Sequence, residues 1–248
     1  MKKLIFVLLL PFVFISENTY SQTAGISASK LSAVNATTVL EDKIEFEPSF
    51  GFSVFMTDSL PVYSDLGFRF TYGLTSKTEM GIVIPVSLNT LNWGIKYNAV
   101  NFKQYSVVFI AGFQNSLNSD NQSQEKTASL FYSYSGGAAF TYLVSEKVSI
   151  DFTGQLQGKF HYSHQDLTVF LNSEAGYFIT DGLQLVTGIC YNKDFTHKQY
   201  AENIIINSGV TLENAKNFIL VLNFPYKLKN KNSPASIGFA LALTMLIE

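Results

Sequence analysis

Along residues 148–160, VSIDFTGQLQGKF, apolar Val148, Ile150, Phe152, Leu156 and Phe160 are interleaved with polar Ser149, Asp151, Thr153, Gln155, Gln157 and Lys159. Successive side chains of a strand point to opposite faces, so the stretch predicts a strand with one greasy and one wet surface. Its thirteen residues exceed the usual strand length of about 5–6. At roughly 3.3 Å per residue and a tilt near 45°, such a strand climbs about 30 Å, the hydrocarbon thickness of a bilayer.

The pattern recurs. From residue 44 onward the chain reads as twelve such segments, beginning with IEFEPSFGFSVFM (44–56), where Ile44, Phe46, Phe50, Phe52, Val54 and Met56 oppose Glu45, Glu47, Ser49, Gly51 and Ser53. VYSDLGFRFTYGL (62–74) follows, and further segments are expected near 78–86, 91–99, 104–114, 128–143, 148–160, 167–179, 183–192, 202–212, 217–227 and 235–247. The connections alternate in length. Those after even-numbered segments are short and polar (LTSKTE, NAVNFK, LVSEK, ITDGL, ENAK), and those after odd-numbered ones include the longest, 115–128 and 192–201. An outer-membrane barrel has short periplasmic turns and longer external loops, and an even strand number leaves both termini on the periplasmic side.

A secreted β-sandwich would alternate too, but its strands are shorter and its outward face is rich in charge. Here the apolar face carries rings near the strand ends, at Tyr72, Tyr142, Phe160 and Tyr177, as suits the two membrane interfaces. The expected fold is all-β: a single 12-stranded antiparallel transmembrane β-barrel over residues 44–248, closed because an open edge in hydrocarbon would leave backbone groups unpaired.

The N-terminus supplies the address. MKKLIFVLLLPFVFI couples Lys2 and Lys3 to an apolar stretch too short to span a bilayer, and Thr19 and Ser21 suit a cut before Gln22, so residues 1–21 read as a signal peptide. Residues 22–43 form a polar segment, periplasmic or plug-like. The expected location is the outer membrane of a bacterium with a two-membrane envelope, with outer-membrane lipid and the barrel-assembly machinery as partners.

Composition agrees with that setting. The chain is 47% hydrophobic and only 15% charged, against about 25% charged in soluble domains. Beyond the signal peptide, 15 cationic and 18 acidic residues give a formal charge of −3, which offers no reason to expect nucleic acid. Cys190 stands alone and excludes an internal disulfide.

The stretches ATTVLEDKIEFEPSFGF, FRFTYGLTSKTEMGI and LNWGIKY resemble the N-terminal half of the transporter-like outer-membrane barrels named after the meta-pathway of phenol degradation. The resemblance covers residues 36–100, and beyond them only the rhythm of strands and turns. It implies passage of small solutes, apolar or aromatic compounds among them. Many outer-membrane barrels end in an aromatic residue, whereas this chain ends LTMLIE.

If the greasy faces point outward, the opposite parity lines a lumen of Ser, Thr, Asn, Gln and Gly. Phe55, Tyr63, Phe131 and Phe170 break that rule toward the external ends of their strands and suggest an aromatic collar, either contacting an apolar solute or packing a barrel of intermediate bore. Lumen charges collect at the other end: Glu45, Glu47, Glu79, Asp151 and Glu174 with Arg69 and Lys96. Simple hairpins bring Arg69 within diagonal reach of Glu47 and near Glu79. The expected role is an ion cluster holding the wall in register rather than an acid/base site, with cations drawn to the inner mouth.

His161, His164 and His197 occur in external loops, where Asp166 or Asp194 could complete a metal site, but HYSH is a poor ligand signature and no metal is assigned. His161 and Ser163 lack an orienting third group, and no G-x-S-x-G, phosphate-loop or zinc motif occurs, so neither a catalytic residue nor a cofactor is assigned. The function expected is an outer-membrane channel or facilitator for small solutes. The alternatives are a non-transport structural or surface-interaction barrel with an occluded pore, and, behind it, an outer-membrane lipid hydrolase.

Overall fold

The computed structural model describes residues 31–56, 62–86, 90–116, 133–160, 165–195, 202–214, 218–230 and 234–247. The expected signal peptide, Phe131, His161, Ser163, His164 and His197 lie outside the described residues, as do the side chains of Tyr63, Phe160 and Asp166. Strands β1 (Ile44–Phe55), β2 (Val62–Thr75), β3 (Thr78–Pro85), β4 (Thr90–Asn101), β5 (Tyr105–Ser116), β6 (Ser133–Ser145) and β7 (Val148–Phe160) form the first part of one antiparallel sheet. It continues through β8 (Gln165–Thr180), β9 (Leu183–Asp194), β10 (Glu202–Asn214), β11 (Phe218–Asn223), β12 (Tyr226–Lys227) and β13 (Ser236–Ile247). Pairing of β13 with β1 closes the sheet into a barrel.

β11 and β12 are two pieces of one wall position. Both lie between β10 and β13, and the register on each neighbour continues unchanged across Phe224–Pro225. Pro225 has no N–H for the ladder, so the strand expected at 217–227 is interrupted there while the wall keeps twelve positions.

Four hairpins, β2–β3, β4–β5, β6–β7 and β8–β9, shift register just before their short turns, at Gly73/Thr75, Asn98/Val100, Leu143/Ser145 and Phe178/Thr180. An extra residue at such a place raises local twist and helps the sheet curl. All four lie at the end of the barrel that carries the tight connections.

The two faces are those of a protein turned inside out. Phe109, Ile189 and Leu156 are 56%, 55% and 53% exposed on the outside, while Ser149, Thr153, Gln155, Asn172 and Gln184 are buried within. A domain in water puts its large apolar side chains inside; here hydrocarbon is the outer solvent. At the tight-turn end, Phe102, Tyr105, Phe140 and Tyr142 form a run of ring contacts with centroids 4.9, 6.4 and 6.3 Å apart, an arrangement suited to the bilayer interface.

Candidate functional site

The lumen charges are held in three sets of contacts, and the first two, around Arg69 and around Lys96, lie within electrostatic range of each other. Arg69 on β2 lies directly opposite Glu47 on β1, closer than the diagonal placement expected, and its guanidinium donates to Glu45 and Glu47, each at 2.7 Å. The Thr244 hydroxyl also donates to Glu47. Glu79 on β3 faces Lys96 on β4, with Nζ to Oε1 at 3.1 Å and both side chains fully buried. The direct ion-pair partner of Glu79 is Lys96, which β4 brings across from it, and Arg69 and Glu45 lie within electrostatic range of that pair. Asp151 and Glu174 are cross-strand neighbours on β7 and β8. Like charges so placed repel, and hydrogen-bond donors offset this: the Thr141 hydroxyl donates to Asp151 at 2.6 Å, and Glu174 accepts from residues ahead of the barrel.

Those residues are the feature of the lumen that the alternation of strands does not announce. Ahead of β1 the chain turns at Leu40–Lys43, with the Lys43 amide donating to the Leu40 carbonyl at 3.1 Å and Asp42 in the left-handed region at φ 61°. Gly73 receives this turn: its carbonyl accepts from the Asp42 amide at 2.9 Å and its amide donates to Lys43 at 3.0 Å. A Cβ at Gly73 would overlap the Leu40 carbonyl, so the close approach requires glycine there.

From this turn residues 31–39 run as a strap inside the barrel. The Val39 amide donates to Glu79 (2.7 Å), Ala36 to the Thr141 hydroxyl (2.9 Å), Val34 to the Thr153 hydroxyl (2.8 Å) and Leu31 to Glu174 (3.1 Å), and the Ser32 amide also donates to Glu174. In the other direction Asn98 donates to the Ala36 carbonyl (3.0 Å), Lys96 to that of Asn35 (3.3 Å) and Asn172 to that of Ser32 (3.2 Å). The Ser32 hydroxyl donates to Glu174 and accepts from Asn207. A buried segment without strand partners must pair its backbone groups somehow, and here side chains of β3, β4, β6, β7 and β8 do so. Val34 and Ala36 pack against Val108, Ile110 and Ala139, which explains why β5 and β6 turn apolar residues inward. A cavity of about 520 Å³ remains beside Asn35 and Thr37, reaching toward Leu143 and Phe178 at the tight-turn end.

Of the four collar residues, the described side chains are those of Phe55 and Phe170. Phe55 lies at the far end of β1 with the Lys227 ammonium 5.9 Å from its ring centre, while Phe170 is buried on the lumen side of β8. Among the described residues no group of three or more His, Cys, Asp or Glu side chains is arranged to hold a metal ion.

A closed antiparallel barrel with an apolar exterior, interfacial rings and a polar lumen has the architecture of outer-membrane β-barrels. No family model and no curated protein matches the chain. Among solved structures, an outer-membrane channel from Pseudomonas putida F1 is similar with a TM-score of 0.60 at 12% identity, over 86% of this chain and 98% of that one. The NanC porin gives 0.56 at 9% identity, over 81% and 98%, and the KdgM porin 0.53 at 8% identity, over 81% and 99%. At these identities the likeness establishes the fold.

Proposed function

We propose that this protein is an outer-membrane channel for small solutes whose inner half is closed by the strap formed by residues 31–39. The observation that carries this is the manner of closure: a polar lumen is crossed by a single segment of chain held by individual hydrogen bonds and a small apolar contact, not by a packed domain. Each such bond contributes about 0.5–1.5 kcal/mol net, or about 1.5–3 kcal/mol where the partner is charged, and none belongs to the ladder of the wall, so the strap is removable without dismantling it. The channels and porins of like fold are consistent with this function. Export through a cleaved signal peptide and insertion by the assembly machinery belong to the same proposal.

The five acidic groups Glu45, Glu47, Glu79, Asp151 and Glu174 outnumber Arg69 and Lys96, which favours cations over anions at the inner half. A taste for apolar or aromatic solutes rests on the family resemblance and on the collar position of Phe55 and Phe170. The strap also favours a second function, a non-transport barrel with a permanently occluded pore.

Conductance in planar bilayers separates the two. The native chain is expected to give small or rare current steps, and the Ala33→Glu/Ala36→Glu chain, whose strap cannot reseat, larger and cation-selective ones. A silent bilayer from both chains would overturn the channel.

A further inference from the structure

We propose that the groove filled by residues 31–39 is a binding track for short extended peptides with small side chains, and that the strap is its built-in occupant; as the substrate class of a transporter, this rests on the channel function above. The wall bonds the strap's main chain along its length, at the amides of Leu31, Ser32, Val34, Ala36 and Val39 and the carbonyls of Ser32, Asn35 and Ala36. Of the side chains, the Ser32 hydroxyl bonds Glu174 and Asn207, while Val34 and Ala36 make apolar contact with the wall. Main-chain hydrogen bonds give affinity without demanding a sequence, and pockets for the side chains set the selection.

The selection is by size. Ala33 and Ala36 are fully enclosed, and Val34 is held among Val108, Ile110 and Ala139, so positions 33, 34 and 36 accept little beyond a methyl or isopropyl group. Asn35 and Thr37 instead border the cavity of about 520 Å³, where longer side chains have room. The polarity of the track is set by charge: Glu174, with Asp151 directly across from it, meets the N-terminal end of the strap. In a free peptide beginning at that place, a protonated α-amine would lie against the Glu174 carboxylate. A mere stopper needs only bulk; a wall that matches amides and carbonyls in turn is built to hold a peptide backbone.

The full-length Ala33→Glu/Ala36→Glu chain empties the track while leaving the wall intact, and Gly73→Ala, which displaces the strap at its turn, serves if the double variant fails to fold. The probes carry a C-terminal fluorophore: the peptide LSAVNATTV, an unrelated nine-residue peptide of Ala, Ser and Val, and LSAVNATTV N-methylated at the residues matching Val34 and Ala36. Anisotropy in detergent micelles is expected to show the first two binding within about threefold of each other. The methylated peptide should bind at least about tenfold more weakly, since two backbone donors are gone, and Thr153→Val in the wall should weaken the parent peptide by about fivefold. Binding of the strap's own sequence alone, indifference to N-methylation, or no binding at all would each overturn the track. The bilayer reads the channel separately. A variant that conducts but binds no peptide sinks the track and leaves the channel, whereas one that binds peptide and never conducts does the reverse.

Discussion

Replacing Lys96 by Met removes the ammonium from a pair enclosed on all sides. Nζ lies 3.1 Å from Glu79 Oε1, and both side chains are 0% exposed. Breaking a buried pair from one side costs about 3–5 kcal/mol, because the remaining charge keeps its desolvation penalty and loses its compensation. The Asn35 carbonyl, 3.3 Å from the same ammonium, loses a charged donor worth about 1.5–3 kcal/mol, and the strap loosens with it. Removing both charges, in Lys96→Met/Glu79→Leu, should restore part of the loss, leaving about 1–3 kcal/mol for each strap group, the Val39 amide and the Asn35 carbonyl, deprived of its partner. Equilibrium urea unfolding from lipid vesicles measures all three variants, with Glu79→Leu completing the cycle. The chain's single tryptophan, Trp93, reports the transition from β4, where it stacks on Phe113 at 5.9 Å. A Lys96→Met cost below about 1 kcal/mol, or a double variant as unstable as the two single losses combined, would refute a coupled, desolvated pair.

Ile189→Arg, on the outward face of β9 and 55% exposed, should destabilise the folded barrel in bilayers by about 2–4 kcal/mol; an unchanged unfolding midpoint in vesicles would mean that lipid does not touch this face. Gly73→Ala should push the Leu40–Lys43 turn out of its seat while sparing the wall. The expected outcome is faster tryptic cleavage after Lys43 and larger bilayer currents, and protection equal to that of the native chain would show that the strap tolerates the added methyl.

The wall was legible because its logic is local, save where β5 and β6 turn Val108, Ile110 and Ala139 inward against the strap. In VSIDFTGQLQGKF the parity of each side chain is decided by its neighbours one position away, and the structure places Asp151, Thr153 and Gln155 inside and Phe152 and Leu156 outside accordingly. The alternation of long and short connections was equally local, and it ordered the strands and their closure. Pro225 could be seen in the eleventh segment, and its missing N–H interrupts the ladder there.

The lumen was less legible, because which groups meet across it depends on curvature and register. Arg69 was placed with Glu47 by simple hairpin pairing, and that contact exists. Glu79, expected near Arg69, takes Lys96 as its direct ion-pair partner, since the β3–β4 register sets the two opposite. The strap left only a faint trace. AVNATTV, residues 33–39, is a run of small and apolar side chains inside a segment that otherwise reads as polar, and nothing in its own spacing announces a partner. Val34 meets Thr153 across 119 positions of chain and Ser32 meets Asn172 across 140. Alternation along the chain therefore determined which solvent each face of the wall would see, as a strand's period of two is a property of the backbone itself. What occupies the space the wall encloses was decided only by closure, because a segment with no ladder of its own finds its hydrogen-bond partners wherever the curved wall presents them.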